Sequence, residues 1–150
     1  MLQWRRLTFL LHNRLKRFGT RQRLAPHLQL GRQGELAAER FLRKQSFKIL
    51  YRNFRARNGG EIDLVCRDRK EQVLVFVEVK TRKTDLFAPP RDAVNFRKQH
   101  QITKAAKEWL RLLDHQEIPF RFDIVEVVTE PKLEIRLIRN AFELEDNLYV

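Results

Sequence analysis

Cysteine is almost missing from this chain of 150 residues: Cys66 stands alone. No internal disulfide can form. One cysteine and four scattered histidines also leave no Cys/His zinc constellation. A reducing, cytoplasmic setting is the natural expectation. Long hydrophobic runs are missing too. The longest near the start is Phe9-Leu10-Leu11, far too short for a membrane span or the core of a signal peptide. No repeat or low-complexity tract interrupts the sequence, so its length suits one compact domain with an appendage.

Acid is scarce relative to base. Lys and Arg number 31 against 19 Asp and Glu, a net charge of +12. Such an imbalance points to a polyanionic partner, nucleic acid first and an acidic membrane surface second. Residues 1–30 hold seven Lys or Arg and no acid at all. Within them Trp4, Leu7, Leu11, Leu15 and Phe18 recur at helical spacing, which allows a basic amphipathic helix that Gly19 ends, with Pro26 marking a linker. Contact with nucleic acid, contact with a membrane surface, and a helix packed on the domain all stay open for this segment.

The domain is expected to begin near Gly31. A helix over 34–46 has Leu36, Ala37, Ala38, Phe41 and Leu42 as its apolar side. Its Glu35 reads from spacing as a first-turn acid favoured by the helix dipole. Strands follow over 47–55, 61–67 and 72–81. The stretch Arg55, Arg57, Asn58, Gly59, Gly60 forms a basic, flexible turn between the first two. The run from Val73 to Val77 has no charge, as suits a central strand covered on both faces. After a loop over 82–91, Asp92 is the expected N-cap of a long helix over 93–115. Lys98 and Gln99 stand at its start, where a long polar side chain can reach a strand end. Strands over 120–128 and 133–138 complete the order. Short links make the first three strands an antiparallel meander, and the long helix allows a crossover to a parallel strand. The expected fold is an α/β sheet with helices on both faces.

The chemistry concentrates in Gly60-Glu61-Ile62-Asp63 and in Val77-Glu78-Val79-Lys80. Acids in apolar strands are costly unless they are paired or bind a cation. Alternation puts Glu61 and Asp63 on one face of their strand, and Glu78 and Lys80 on one face of theirs. With Arg67 opposite Gln72, Asp63 faces Phe76 and has Glu78 as a diagonal neighbour, about 7–8 Å away. Asp63, Glu78 and Lys80 then share a face. Two such carboxylates, with the Val79 carbonyl, supply hard oxygen ligands for Mg²⁺ or Mn²⁺. A lysine beside them can orient a water or stabilise a phosphorane-like transition state. The alternative is a structural ion-pair cluster at a sheet end.

Taken in order, Gly31-Arg32-Gln33-Gly34-Glu35, Asn53-Phe54-Arg55, Gly60-Glu61-Ile62-Asp63, Phe76-Val77-Glu78-Val79-Lys80-Thr81-Arg82, Lys98-Gln99 and Arg121-Phe122-Asp123 resemble the YraN family of bacterial proteins. That family belongs to the PD-(D/E)XK nuclease superfamily and is similar to archaeal-type Holliday junction resolvases. The resemblance spans about residues 31–142, leaving 1–30 as an extension and 143–150 as a tail. It implies a restriction-endonuclease-like αβββαβ core with a mixed central sheet flanked by helices. It implies Asp63, Glu78 and Lys80 as catalytic acid, second acid and lysine, Glu35 as a further metal-site acid, and Gln99 as a polar residue of the site. It also makes Arg82 and Lys98 phosphate contacts, beside the basic turn of Arg55 and Arg57. Ile62 replaces the proline of the superfamily name. The expected activity is divalent-metal-dependent cleavage of DNA, which fits better than RNA, with branched or structured DNA among the candidate substrates. A homodimer is the form in which such enzymes cut two strands symmetrically. The alternative is a nucleic-acid-binding protein with a nuclease fold and little or no cleavage.

Overall fold

Strand β3 (Val73–Arg82) is buried on both sides along its first half, and the rest of the chain is laid out around it. Leu74 and Phe76 point into one apolar cluster, Val75 and Val77 into the other. A continuous apolar strand can satisfy both only at the middle of a sheet. The computed structural model describes residues 26–84, 89, 92–113 and 117–144. The amphipathic pattern over residues 4–18 lies outside them.

The order is α1 (Pro26–Lys44), β1 (Phe47–Arg55), β2 (Glu61–Asp68), β3, α2 (Phe96–Leu112), β4 (Phe120–Val128) and β5 (Glu134–Phe142). One five-stranded sheet runs β1-β2-β3-β4-β5. β3 and β4 are parallel and the other neighbours antiparallel. Helix α2 makes the crossover that the parallel pair requires. Its Ile102, Ala105, Ala106 and Trp109 are buried on one face of the sheet, and Ala38 and Leu42 of α1 on the other. This is the mixed sheet flanked by helices of a restriction-endonuclease-like fold. No helix among the described residues is long and apolar enough to cross a membrane.

Several boundaries differ from expectation, each for a local reason. Helix α1 starts at Pro26, so that proline opens the helix instead of marking a linker. Proline suits a first turn, where its missing N–H is not needed. Leu36, expected on the apolar side, is 48% exposed, while Glu39 takes a buried place held by Arg43 and Arg52. Asn95, not Asp92, caps α2: its Oδ1 accepts the Lys98 N–H at 3.0 Å. β5 runs on to Phe142, whose ring stacks on Phe122 at 4.6 Å.

The β2–β3 register also differs. Arg67 faces Leu74, Val65 faces Phe76 and Leu64 faces Val77. Asp68 goes with it: its Oδ1 accepts the N–H groups of Lys70 and Glu71, and the four-residue turn sits one residue further along the chain than expected. The offset from the expected register is two residues. An even slip keeps every side chain on its face.

Two glycines bring the helices close to the site. A Cβ at Gly60 would lie 2.4 Å from the Gln101 carbonyl oxygen, so the β1–β2 turn rests directly on α2. A Cβ at Gly34 would overlap Thr81, so α1 meets the end of β3 there.

Candidate active site

The paired part of β2 and β3 ends at Leu64 and Val77. Beyond it a side chain replaces the backbone acceptor: Asp63 Oδ2 takes the Val79 N–H at 2.7 Å. A residue's N–H and C=O leave a strand on the same side, so the Val79 carbonyl also faces β2. Glu78 comes next to Asp63 on the α2 side of the sheet and is 5% exposed. Its Oε1 lies 3.3 Å from the Lys98 ammonium. Its Oε2 is buried and receives no N–H donor among the described residues, and its carboxyl is hydrogen-bonded with that of Asp63.

Burial dominates the electrostatics. It raises the Glu78 pKa, and the nearby Asp63 charge raises it further, against the pull of Lys98. Burial raises Asp63 as well, opposed by the Val79 N–H and by Lys98. Two carboxyls this close share a proton more readily than both ionise. Lys98 Nζ also sits 3.1 Å from Glu61 Oε1, and Arg55 Nε lies 3.9 Å from Glu61. Lys98, expected as a phosphate contact, thus has its ammonium on two acids, with its side chain 18% exposed. Arg55 and Arg57 are exposed, on the turn whose Arg57 N–H is held by Glu108.

Glu35 enters from α1. With the helix starting at Pro26, Glu35 is not in its first turn, and the helix-dipole reading falls. Burial and the Asp63 charge raise its pKa, while a hydrogen bond with the Asn53 side chain lowers it. Asn53 adopts φ 52°, a left-handed conformation that asparagine tolerates. Lys80 and Arg82 follow Glu78 along β3, both half-buried. Gln99 is turned back, its Nε2 donating to the Val94 carbonyl at 2.9 Å. Among the described residues no three His, Cys, Asp or Glu side chains are grouped to hold a metal ion by themselves.

Sequence reasoning missed Glu126. It is the β4 neighbour of Lys80 and is 1% exposed. Arg136 Nε donates to its Oε2 at 2.7 Å, and its Oε1 is buried without a hydrogen-bond partner among the described residues. The signal was available: an acid in an apolar strand, the argument that singled out Glu78. It also missed that Arg121 and Asp123 are structural. Arg121 donates to Asp123 and Asp68 at 2.9 Å each and pairs with Glu71.

A raised carboxyl pKa has a consequence for stability. Glu78 ionises more readily unfolded than folded, so its contribution is complete below the ordinary glutamate pKa and is lost as pH rises through the raised value. Glu78→Gln should therefore raise Tm, by at least about 2–4 °C at pH 8 for each kcal/mol of relieved charge burial, and by less at pH 5. Thermal melts at both pH values check this. A variant that melts lower at pH 8 contradicts it.

The sequence profile of the "Uncharacterised protein family UPF0102" matches residues 34–127. A UPF0102 protein of Geobacter metallireducens is 47% identical over 116 residues, covering 77% of this chain and 93% of that one. One from Symbiobacterium thermophilum is 44% identical over 116 residues, covering 76% of this chain and 96% of that one. Among solved structures, "The structure of Pyrococcus Furiosus SfsA in complex with Ca2+" matches at 14% identity over 85% of this chain and 75% of that one. Its TM-score of 0.30 is too low to bear on fold or function.

Proposed function

The chain belongs to the UPF0102 family, the YraN family of the PD-(D/E)XK-like nuclease superfamily, and from that premise we propose that it is a divalent-metal-dependent endonuclease that hydrolyses phosphodiester bonds in DNA. The observation that carries the reading is the buried Glu78 carboxyl held against that of Asp63, with Glu78 Oε2 receiving no N–H donor among the described residues. A buried carboxylate oxygen without a donor is costly, and a cation removes the cost. Mg²⁺ is bound by one or two carboxylates and keeps several waters, so the lack of a self-sufficient three-acid group is no obstacle. Asp63, Glu78 and the Val79 carbonyl would hold Mg²⁺ or Mn²⁺, with Glu35 as a further acid. The ion would supply an acidified water and charge to offset a phosphoryl oxygen.

The chain's own residues do the remainder. Asp63, fixed by the Val79 N–H, sets the angle of the acid pair. To hold the ion Glu78 would have to be ionised, against the burial that raises its pKa. Lys80, two residues along the same face, orients the attacking water or stabilises charge on the phosphoryl group. Gln99 fixes the turn that leads into α2. Arg55, Arg57 and Arg82 hold the DNA backbone, and the chain's +12 charge favours its approach. Lys98 places its positive charge between Glu61 and the Glu78 carboxyl.

That same ion pair supports a second reading, in which Lys98 remains on Glu78 and the protein binds DNA without cutting it. The discriminating assay uses labelled duplex, single-stranded and four-way-junction DNA with Mg²⁺, Mn²⁺ or EDTA. Cutting is expected with either metal, none in EDTA, and a loss on the order of 10²–10³-fold in Lys80→Ala. Tight binding with no cutting under any metal would favour the second reading.

A further inference from the structure

Lys98 reaches the acid site from the first turn of α2. Its ammonium lies 3.3 Å from Glu78 Oε1 and 3.1 Å from Glu61 Oε1, and the Asp63 charge acts on it as well. The backbone fixes both ends of this bridge. Asn95 Oδ1 accepts the Lys98 N–H, which holds the root of the side chain at the helix start. Gly60 has no room for a side chain against Gln101 and Ala105, so the turn before β2 rests on the same helix and brings Glu61 to it. The two acids differ in freedom. Glu78 is buried in the sheet, while the Glu61 side chain is about half exposed. Glu61 can follow the ammonium outward and Glu78 cannot.

Accepting the metal reading above, we propose that Lys98 is the resident counter-cation of the acid site: its ammonium competes with the divalent ion for the Glu78 carboxyl and so sets how tightly the site takes metal. Charge carries this. The carboxyl that would bind the ion already holds a cation. An ammonium has three donors and no acceptor, so it cannot ligate the ion and only repels it. Even with the dielectric of water, a unit charge about 4 Å from a divalent ion opposes binding by about thirtyfold, and a partly buried site screens less. The flexible four-carbon stem of a lysine lets the ammonium give way toward Glu61. The same contacts have another account, in which Lys98 aligns the Glu78 carboxyl for the ion. The two accounts differ in sign: without Lys98, competition predicts tighter metal binding and alignment predicts weaker.

The test is calorimetric titration of the full chain with Mn²⁺ at pH 7 and fixed ionic strength, without DNA. Lys98→Gln removes the charge and keeps a donor, and Lys98→Met removes both. Each should bind Mn²⁺ at least about tenfold more tightly than the wild type. Lys98→Arg keeps the charge and should bind no more tightly than the wild type. Arg97→Gln takes the same charge from the exposed neighbouring residue, where water and salt screen it, and should stay within about twofold. Unchanged or weaker binding in Lys98→Gln and Lys98→Met, while the wild type binds, overturns the competition and leaves the metal reading intact. An equal gain in Arg97→Gln or in Lys98→Arg also overturns it, because the charge in contact with Glu78 would then not be the cause. If neither charge-removing variant folds, Lys98 is a structural cation and the proposal is overturned. If the wild type and the variants alike bind no Mn²⁺, the metal reading itself fails and the competition with it.

Discussion

Asp63→Asn and Glu78→Gln should each reduce metal-dependent DNA cleavage by at least about 10³-fold, while DNA affinity in EDTA stays within about twofold. The size follows from what the pair is asked to supply. Metal-assisted charge stabilisation is worth several kcal/mol, and each 1.36 kcal/mol is tenfold in rate. Neither amide can replace a charged hard-oxygen ligand. The fold should survive, because burial disfavours both charges and the variants relieve that cost. Affinity should hold because the contacts assigned to the DNA backbone lie on Arg55, Arg57 and Arg82. Gel-based cleavage, fluorescence anisotropy and a thermal melt on the same preparations give the three readings. Loss of folding in both variants would instead make the pair a structural cluster.

Arg121→Met should destabilise the protein by about 3–5 kcal/mol, the cost of leaving buried charge uncompensated. Arg121 is 9% exposed and touches Asp68, Glu71 and Asp123 at once. Asp68 and Asp123 are buried, at 0% and 1%. Burial would raise Asp68, but hydrogen bonds from Arg121, from the Glu71 and Lys70 N–H groups and from Arg139 hold it down at about 2. Asp123 differs: burial raises it, although Arg121 and the Asn140 N–H pull the other way. Without Arg121, both acids lose their main donor. Natural domains have only about 5–15 kcal/mol in hand, so a loss of this size is most of the margin. Arg121→Lys should rescue little, since one ammonium cannot serve three carboxylates from a planar fork. Urea unfolding at pH 7 measures both. A change below about 1 kcal/mol for Arg121→Met would show that the network is not needed for folding.

The sheet was legible because its signals are local. The alternation of Phe120, Phe122 and Ile124 and the uncharged run from Val73 to Val77 state strand and burial directly. The long helix between β3 and β4 states the crossover. The meeting of Asp63 and Glu78 was legible for a subtler reason: alternation has a period of two, and the register at the Asp68 turn differs by two. What stayed hidden depends on partners far away in the chain. Nothing near Arg121 in sequence announces Asp68 or Glu71. Nothing near Glu126 announces that Lys80 stands beside it on the neighbouring strand. The start of α1 was hidden because proline both opens helices and ends them, and Gly31 falls inside the helix. Glu35 shows the two levels together. Its spacing favoured a dipole role, and only the true helix start and the side chain of Asn53 turn it toward Asp63.

The central claim is that Asp63 and Glu78 hold a divalent cation, and calorimetric titration of the full chain with Mn²⁺ tests it most directly. Two buffers of different ionisation enthalpy count the protons released. The wild type should bind Mn²⁺ and release protons, because the raised carboxyls must ionise to ligate. The Asp63→Asn/Glu78→Gln double variant should do neither. Equal binding with equal proton release in the double variant, or no binding by the wild type, would contradict the account.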